Sequence, residues 1–211
     1  IDVFDIETNE KDPDKFIDVV KSISSTFGGI NLEDIKAPEA FKIEKELIQQ
    51  LDIPVMHDDQ HGTAIISSAA LLNALELVDK KIEDIKIVVS GAGAAAIACT
   101  KLYISFGAKL KNIVMTDSKG VIKSTRDNLT PEKKFFATKR DINSLEDAMI
   151  DCDVFIGLSM ANIVSEKMLA SMSANPIVFA MANPDPEISF EKAMSVRDDI
   201  IFATGRSDLP N

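Results

Sequence analysis

IKIVVSGAGAAA, residues 85–96, is the stretch on which the reading of the fold turns. Ile85–Ser90 is nearly all apolar, as befits a central parallel strand buried on both faces. It runs into Gly91-x-Gly93-x-x-Ala96 and an apolar helix to Phe106, the strand–turn–helix context that the dinucleotide fingerprint requires. Gly91 permits the tight turn, Gly93 lets the backbone approach a pyrophosphate, and small Ala96 lets the helix pack close to the strand. The helix N-terminus, with Ala92, Ala94 and Ala95 in the turn, offers N–H groups and a positive dipole to phosphates. The next strand, Asn112–Thr116, ends at Asp117, where a carboxylate would accept from a ribose hydroxyl. Small residues that merely ease packing, with a solvated Asp, would look the same; the pairing of turn and Asp117 favours the dinucleotide.

Working outward, the C-terminal side continues the alternation. A polar stretch, Val121–Lys139, has room for a short helix from Pro131. Strands are expected at Val154–Gly157, Pro176–Met181 and Ile200–Ala203, and helices at Ser165–Ser171 and Ser189–Met194. On the N-terminal side, Ile1–Ile6 alternates as a strand and Asp12-Pro13 opens a helix over Pro13–Thr26. Strand Phe27–Ile35, helix Pro38–Leu51, strand Ile53–His57 and a long apolar helix over Ala64–Val78 follow. The class is α/β: a doubly wound parallel sheet of Rossmann type, joined to part of an α/β metal- and substrate-binding domain. The charged segment Asp79–Asp84 reads as the hinge. It divides residues 1–78 from a dinucleotide unit over 79–203, with 204–211 beyond the last strand.

Two acidic pairs stand at strand ends. PVMHDDQHGTA, residues 54–64, delivers Asp58 and Asp59 where a helix begins, and GGINLEDI, residues 28–35, delivers Glu33 and Asp34. An acidic pair at a helix start is also a good structural cap. Three or four carboxylates converging from two strand ends, however, are costly unless a cation sits between them, and a divalent metal is the economical answer. His57 and His61 flank the pair; because Mg²⁺ and Mn²⁺ prefer oxygen, they read as positioning or core residues. Asn183-Pro184-Asp185-Pro186 ends another apolar run, placed either to face the ligand crevice or to form a plain Asx turn.

Bulk properties set limits. The chain has 211 residues, 45% hydrophobic and 27% charged, with a formal net charge of −11. That charge argues against nucleic acid, whose phosphates demand basic patches. No apolar run approaches the roughly 20 residues of a membrane span. Nothing resembles a secretory signal, and Cys99 and Cys152 read as inert core thiols, so a cytoplasmic location is expected. The chain lacks an initiator Met and stops at Leu209-Pro210-Asn211; both ends read as cut.

FGGINLEDIKAPEAF (27–41), IPVMHDDQHGTA (53–64), the GAGAAA turn (91–96), FAMANPDPEI (179–188) and ATGRSDLPN (203–211) together resemble the malic enzyme family in its shorter bacterial-type form. The resemblance runs over essentially the whole chain, in order, and implies that 1–78 are part of a substrate- and metal-binding domain and that 204–211 start a return segment to it. It implies that Glu33, Asp34 and Asp59 bind Mn²⁺ or Mg²⁺, and that Asp58 lies beside the reacting substrate and supports a catalytic lysine. It implies that Gly91–Ala95 hold NAD or NADP and that Asn183 contacts the dicarboxylate. The implied reaction oxidises malate by hydride transfer and then loses CO₂ to give pyruvate, in an intact protein expected to be a homodimer. The family's catalytic Tyr and Lys would lie N-terminal to Ile1; Tyr103, in the fingerprint helix, does not match them. Ala161-Asn162 replaces the usual Pro-Gly in the loop near the nicotinamide. This chain alone is therefore not expected to turn malate over.

Two other readings stand beside it: a malolactic-type enzyme that releases lactate, and a non-catalytic dinucleotide-binding module. Asp117 favours NAD by repelling a 2′-phosphate, while Lys119 or Lys123 could rescue NADP.

Overall fold

The computed structural model describes residues 1–206 and divides into two compact units, Ile1–Gly62 and Thr63–Asn211. In the first unit, α1 (Pro13–Ile23) starts at Asp12, whose carboxylate accepts from the N–H groups of Asp14 and Lys15, with Pro13 in the first turn. A 3-10 turn (Ser24–Thr26) leads to β1 (Ile30–Leu32); α2 (Glu39–Gln50) then crosses over to β2 (Val55–His57), which pairs parallel with β1. Ile17, Val20, Leu32, Ile43 and Leu47 form this unit's core. Ile1–Ile6 is not a strand: no regular element forms before Pro13, and Ile1, Val3, Phe4 and Ile6 are exposed. Alternation marks a strand only where a neighbouring strand is available to pair with it.

Helix α3 (Asp58–Leu77) begins in the first unit and continues into the second. The second unit then runs β3 (Ile87–Ser90), α4 (Ala94–Ser105), β4 (Ile113–Asp117), β5 (Gly120–Val121), α5 (Pro131–Phe135) and α6 (Leu145–Met149). It ends with β6 (Val154–Gly157), α7 (Glu166–Ala170), β7 (Ile177–Ala180), α8 (Phe190–Val196) and β8 (Ile201–Thr204). The six strands lie in the order β5-β4-β3-β6-β7-β8, all parallel except the two-residue return β5. Ser144, Ser165 and Ser189 cap α6, α7 and α8 by accepting a backbone N–H of the first turn. Val88, Val114, Phe155 and Val178 stand in register across four strands, and so line one face of the sheet with Met149, Leu169 and Ile188.

The expected hinge after residue 78 differs from the observed division at Gly62. The reason lies in α3, which packs with the second unit: Tyr103, fully buried on α4, donates to Ser67 Oγ at 2.9 Å, and Ser67 Oγ lies 3.4 Å from Cys99 Sγ. Burial pushes the Tyr103 phenol well above its ordinary pKa, so this hydroxyl is a structural donor. Tyr103→Phe is expected to cost about 1–2 kcal/mol, read as a lower urea midpoint at unchanged m-value. The residues 207–211, which include most of the expected return segment and the SDLPN motif, lie outside the described residues.

Candidate functional site

The sheet order places β3 between β4 and β6, so connections leave in opposite directions at the carboxyl ends of β3 and β6, where open α/β sheets bind ligands. Gly91 makes the turn at φ 115, and its N–H donates to the Thr116 carbonyl at 3.0 Å. A Cβ there would collide with the backbone carbonyl of Leu158, in the loop after β6. That loop is itself tied down: Leu158 N–H donates to Ser90 O at 2.8 Å, and the Ser90 and Ser159 hydroxyls are 2.9 Å apart. Gly93 precedes α4, and a Cβ on it would meet nothing within 4 Å. The open side of the turn is thus at Gly93, with Ala92, Ala94 and Ala95 partly exposed around it and Ala96 buried beneath.

Asp117 ends β4 as expected, but its carboxylate is already engaged. Oδ1 accepts from Lys119 N–H at 3.0 Å and Arg126 Nη1 at 2.9 Å; Oδ2 accepts from Arg126 Nη2 at 3.0 Å and Lys133 Nζ at 2.8 Å. The side chain is 9% exposed. Burial by itself would raise its pKa; the hydrogen bonds from Arg126 and Lys133 outweigh burial and hold the carboxyl far below the usual carboxylate range. Lys123 instead turns to Asn143, at 2.6 Å.

Asn183 follows β7 on an exposed bend. Beside it is a group that the motif reading passed over. Glu187 is fully buried, and its Oε1 accepts from Ser159 N–H while Oε2 accepts from Ala182 N–H, both at 3.0 Å. It therefore ties the loop after β6 to the residue before Asn183. Gly157 makes room for it, since a Cβ there would run into the Glu187 carboxyl.

In the first unit, Glu33 and Asp34 follow β1, Asp34 in the left-handed region at φ 56. Asp58 opens α3 with its carboxylate over Gly62, where a Cβ would lie 2.9 Å from Asp58 Cγ. Asp59 is half-exposed, 3.7 Å from His57 Nε2. His57 is fully buried, and neither ring nitrogen makes a hydrogen bond among the described residues. The organiser here is Glu44 of α2, only 8% exposed, which accepts from His57 N–H at 3.0 Å and Gln60 Nε2 at 3.2 Å, with His61 Nε2 2.8 Å from its Oε1. The donor chemistry of Glu33, Asp34 and Asp59 suits a hard divalent cation. The structure nevertheless does not gather them: among the described residues no group of three or more His, Cys, Asp or Glu side chains is set to hold a metal ion. Three carboxylates held close together repel one another, which works against such a cluster.

Arg126, Lys133, Glu187 and Glu44 were not singled out by motif. Glu187 carried one signal, a carboxylate between Pro186 and the apolar Ile188 in a segment already marked.

A doubly wound sheet with a glycine turn at its switch point and a carboxylate ending the next strand defines a dinucleotide-binding protein of Rossmann type. Residues 60–209 match the malic enzyme NAD-binding domain and residues 4–48 the malic enzyme N-terminal domain. The chain belongs to the malic enzyme family. It is 54% identical to an NADP-dependent malic enzyme of Haemophilus influenzae, over all of this chain and 28% of that protein. It is 52% identical to one of Halomonas elongata, over all of this chain and 50% of that protein. The crystal structure of an NAD-dependent malic enzyme from Thermotoga maritima superposes with a TM-score of 0.93 at 43% identity, over all of this chain and 57% of that one. The chain thus spans half or less of the length of the two curated relatives named.

Proposed function

We propose that the protein oxidises malate at its hydroxyl carbon by hydride transfer to NAD(P) and decarboxylates the resulting keto acid to pyruvate. The observation that carries this is the similarity of the whole of this chain to part of the malic enzymes, combined with an open glycine turn at the switch point of its sheet. The Gly91–Ala95 turn binds the pyrophosphate through the N-terminus of α4, and the loops after β6 and β7 flank the nicotinamide half. Asn183 binds a carboxylate of the substrate. Asp58 stands beside the reacting carbon and orients the proton-transferring group. A divalent cation, Mn²⁺ or Mg²⁺, would offset the mutual repulsion of Glu33, Asp34 and Asp59, whose oxygens would hold it, and would supply a Lewis acid for the decarboxylation.

The test follows NAD(P)H formation and pyruvate from malate with Mn²⁺, on this chain and on a version extended at both ends. Activity in the extended protein, abolished by a chelator and restored by Mn²⁺, is the expected result. Lactate without net reduced cofactor would instead favour the malolactic reading, as a bifunctional malic/malolactic enzyme of Bacillus subtilis is 48% identical to this chain. Tight cofactor binding without turnover or metal dependence would leave only a binding module. We further expect this chain by itself to bind cofactor and not to turn malate over.

A further inference from the structure

We infer that Arg126 and Lys133 select NADP over NAD, by occupying Asp117 and presenting paired positive charge where the adenosine ribose carries its 2′ substituent. The inference rests on the dinucleotide reading of the Gly91–Ala95 turn and deepens it.

An NAD-selective Rossmann site keeps a carboxylate at the end of its second strand free to accept from the ribose 2′-hydroxyl, whereas NADP sites place an arginine near the 2′-phosphate. A carboxylate has about four lone-pair positions. At Asp117 all four are taken, by Lys119 N–H, two nitrogens of Arg126 and Lys133 Nζ, at 2.8–3.0 Å. A ribose diol would have to displace one of these charged partners to bind there. The repulsion that an open Asp117 would exert on a 2′-phosphate is also cancelled, because the carboxylate is paired with two cations. The local sum of the three side chains is one positive charge, with exposed Lys119 beside it.

Position supports the assignment. Arg126 also reaches the carbonyls of Gly120 and Val121 at 3.4 and 3.3 Å, which fixes its guanidinium against the β4–β5 return. Lys133 lies in α5, whose start is capped by Thr130, so its ammonium approaches from a second element. A 2′-phosphate carries between one and two negative charges near pH 7 and takes arginine in a bidentate fork. The neutral diol of NAD gains nothing from either cation.

The experiment titrates the 211-residue chain with NADPH and with NADH by fluorescence, and repeats it with adenosine 2′,5′-bisphosphate and 5′-AMP by calorimetry. The unsubstituted chain is expected to bind NADPH at least about tenfold tighter than NADH. Arg126→Gln and Lys133→Met should each weaken NADPH by about tenfold, and leave NADH no more than about twofold weaker or else tighter, because each frees an acceptor position on Asp117. Lys133→Met, which loses a single ion pair from a short helix, keeps the test valid should Arg126→Gln disturb folding. The proposal is overturned by equal loss of both cofactors in the two variants, by no loss of NADPH in either, or by an unsubstituted chain that prefers NADH. Binding of neither cofactor would instead overturn the dinucleotide reading on which it rests.

Discussion

Gly91→Ala is expected to lower both stability and dinucleotide affinity, whereas Gly93→Ala, two residues on, is expected to lower affinity alone. At Gly91 the backbone holds φ 115, a region costly for any residue with a Cβ, and the added carbon would meet the Leu158 carbonyl. The Leu158 loop cannot easily step aside. Its N–H is bonded to Ser90, and the next residue, Ser159, is bonded to buried Glu187. Backbone strain of roughly 1–3 kcal/mol and overpacking of similar size add to a loss of about 2–6 kcal/mol. At about 2–4 °C per kcal/mol for a domain of this size, thermal unfolding should show a Tm lower by about 5–20 °C. Gly93 has ordinary negative φ of −84 and open space beyond it, so its alanine variant should melt within about 1 °C of the unsubstituted protein. Its Cβ would nonetheless stand where the pyrophosphate must approach, and NADPH binding should fall by about tenfold or more. A Gly91→Ala protein of normal Tm, or a Gly93→Ala protein of normal affinity, would show that the turn is not read correctly.

What could be read from the sequence divides along physical lines. Strands β3, β4, β6 and β7 are buried on both faces, so their apolar runs stand out, and the alternation with helices follows from the short segments behind Ser165 and Ser189. The Gly91 turn was legible because its steric demand admits almost no other residue. Ile1–Ile6 was misread because alternation reports a two-faced environment only where a partner strand exists. The length of α3 that belongs with the second unit was hidden for a related reason. A helix apolar on every side does not say which neighbour it packs on, and the polar contact that decides it, Tyr103 to Ser67, joins residues far apart in sequence. The same holds at Asp117. Its position at a strand end is local information; its pairing with Arg126 and Lys133 arises from an irregular loop without periodicity and a five-residue helix. Sequence therefore located the carboxylate but not the two cations that pair with it.

Glu187→Ala is expected to be among the most damaging single changes outside the glycine turn, and its cost should depend on Gly157. Glu187 is wholly buried, and every partner it has there is a donor: the N–H groups of Ser159 and Ala182 at 3.0 Å and the Ser159 hydroxyl at 3.4 Å. An acceptor-only group with two oxygens suits that arrangement. Truncation removes both acceptors and leaves two backbone donors to find others, at about 1–3 kcal/mol each, for a total of roughly 3–5 kcal/mol. Glu187→Gln keeps the shape but offers one oxygen and one NH₂, so one of the two N–H groups faces another donor; about 1–3 kcal/mol is expected. Because Glu187 bridges the loop after β6 and the residue before Asn183, NADPH affinity should fall with stability in both variants. Gly157→Ala should do the same, since its Cβ would collide with the Glu187 carboxyl. Once that carboxyl is gone, the collision is gone too. In the double variant Glu187→Ala with Gly157→Ala, urea unfolding should therefore give a loss smaller than the sum of the single losses by at least about 1 kcal/mol. Strict additivity would mean that the two positions do not meet, and that the ends of β6 and β7 are held together by something other than Glu187.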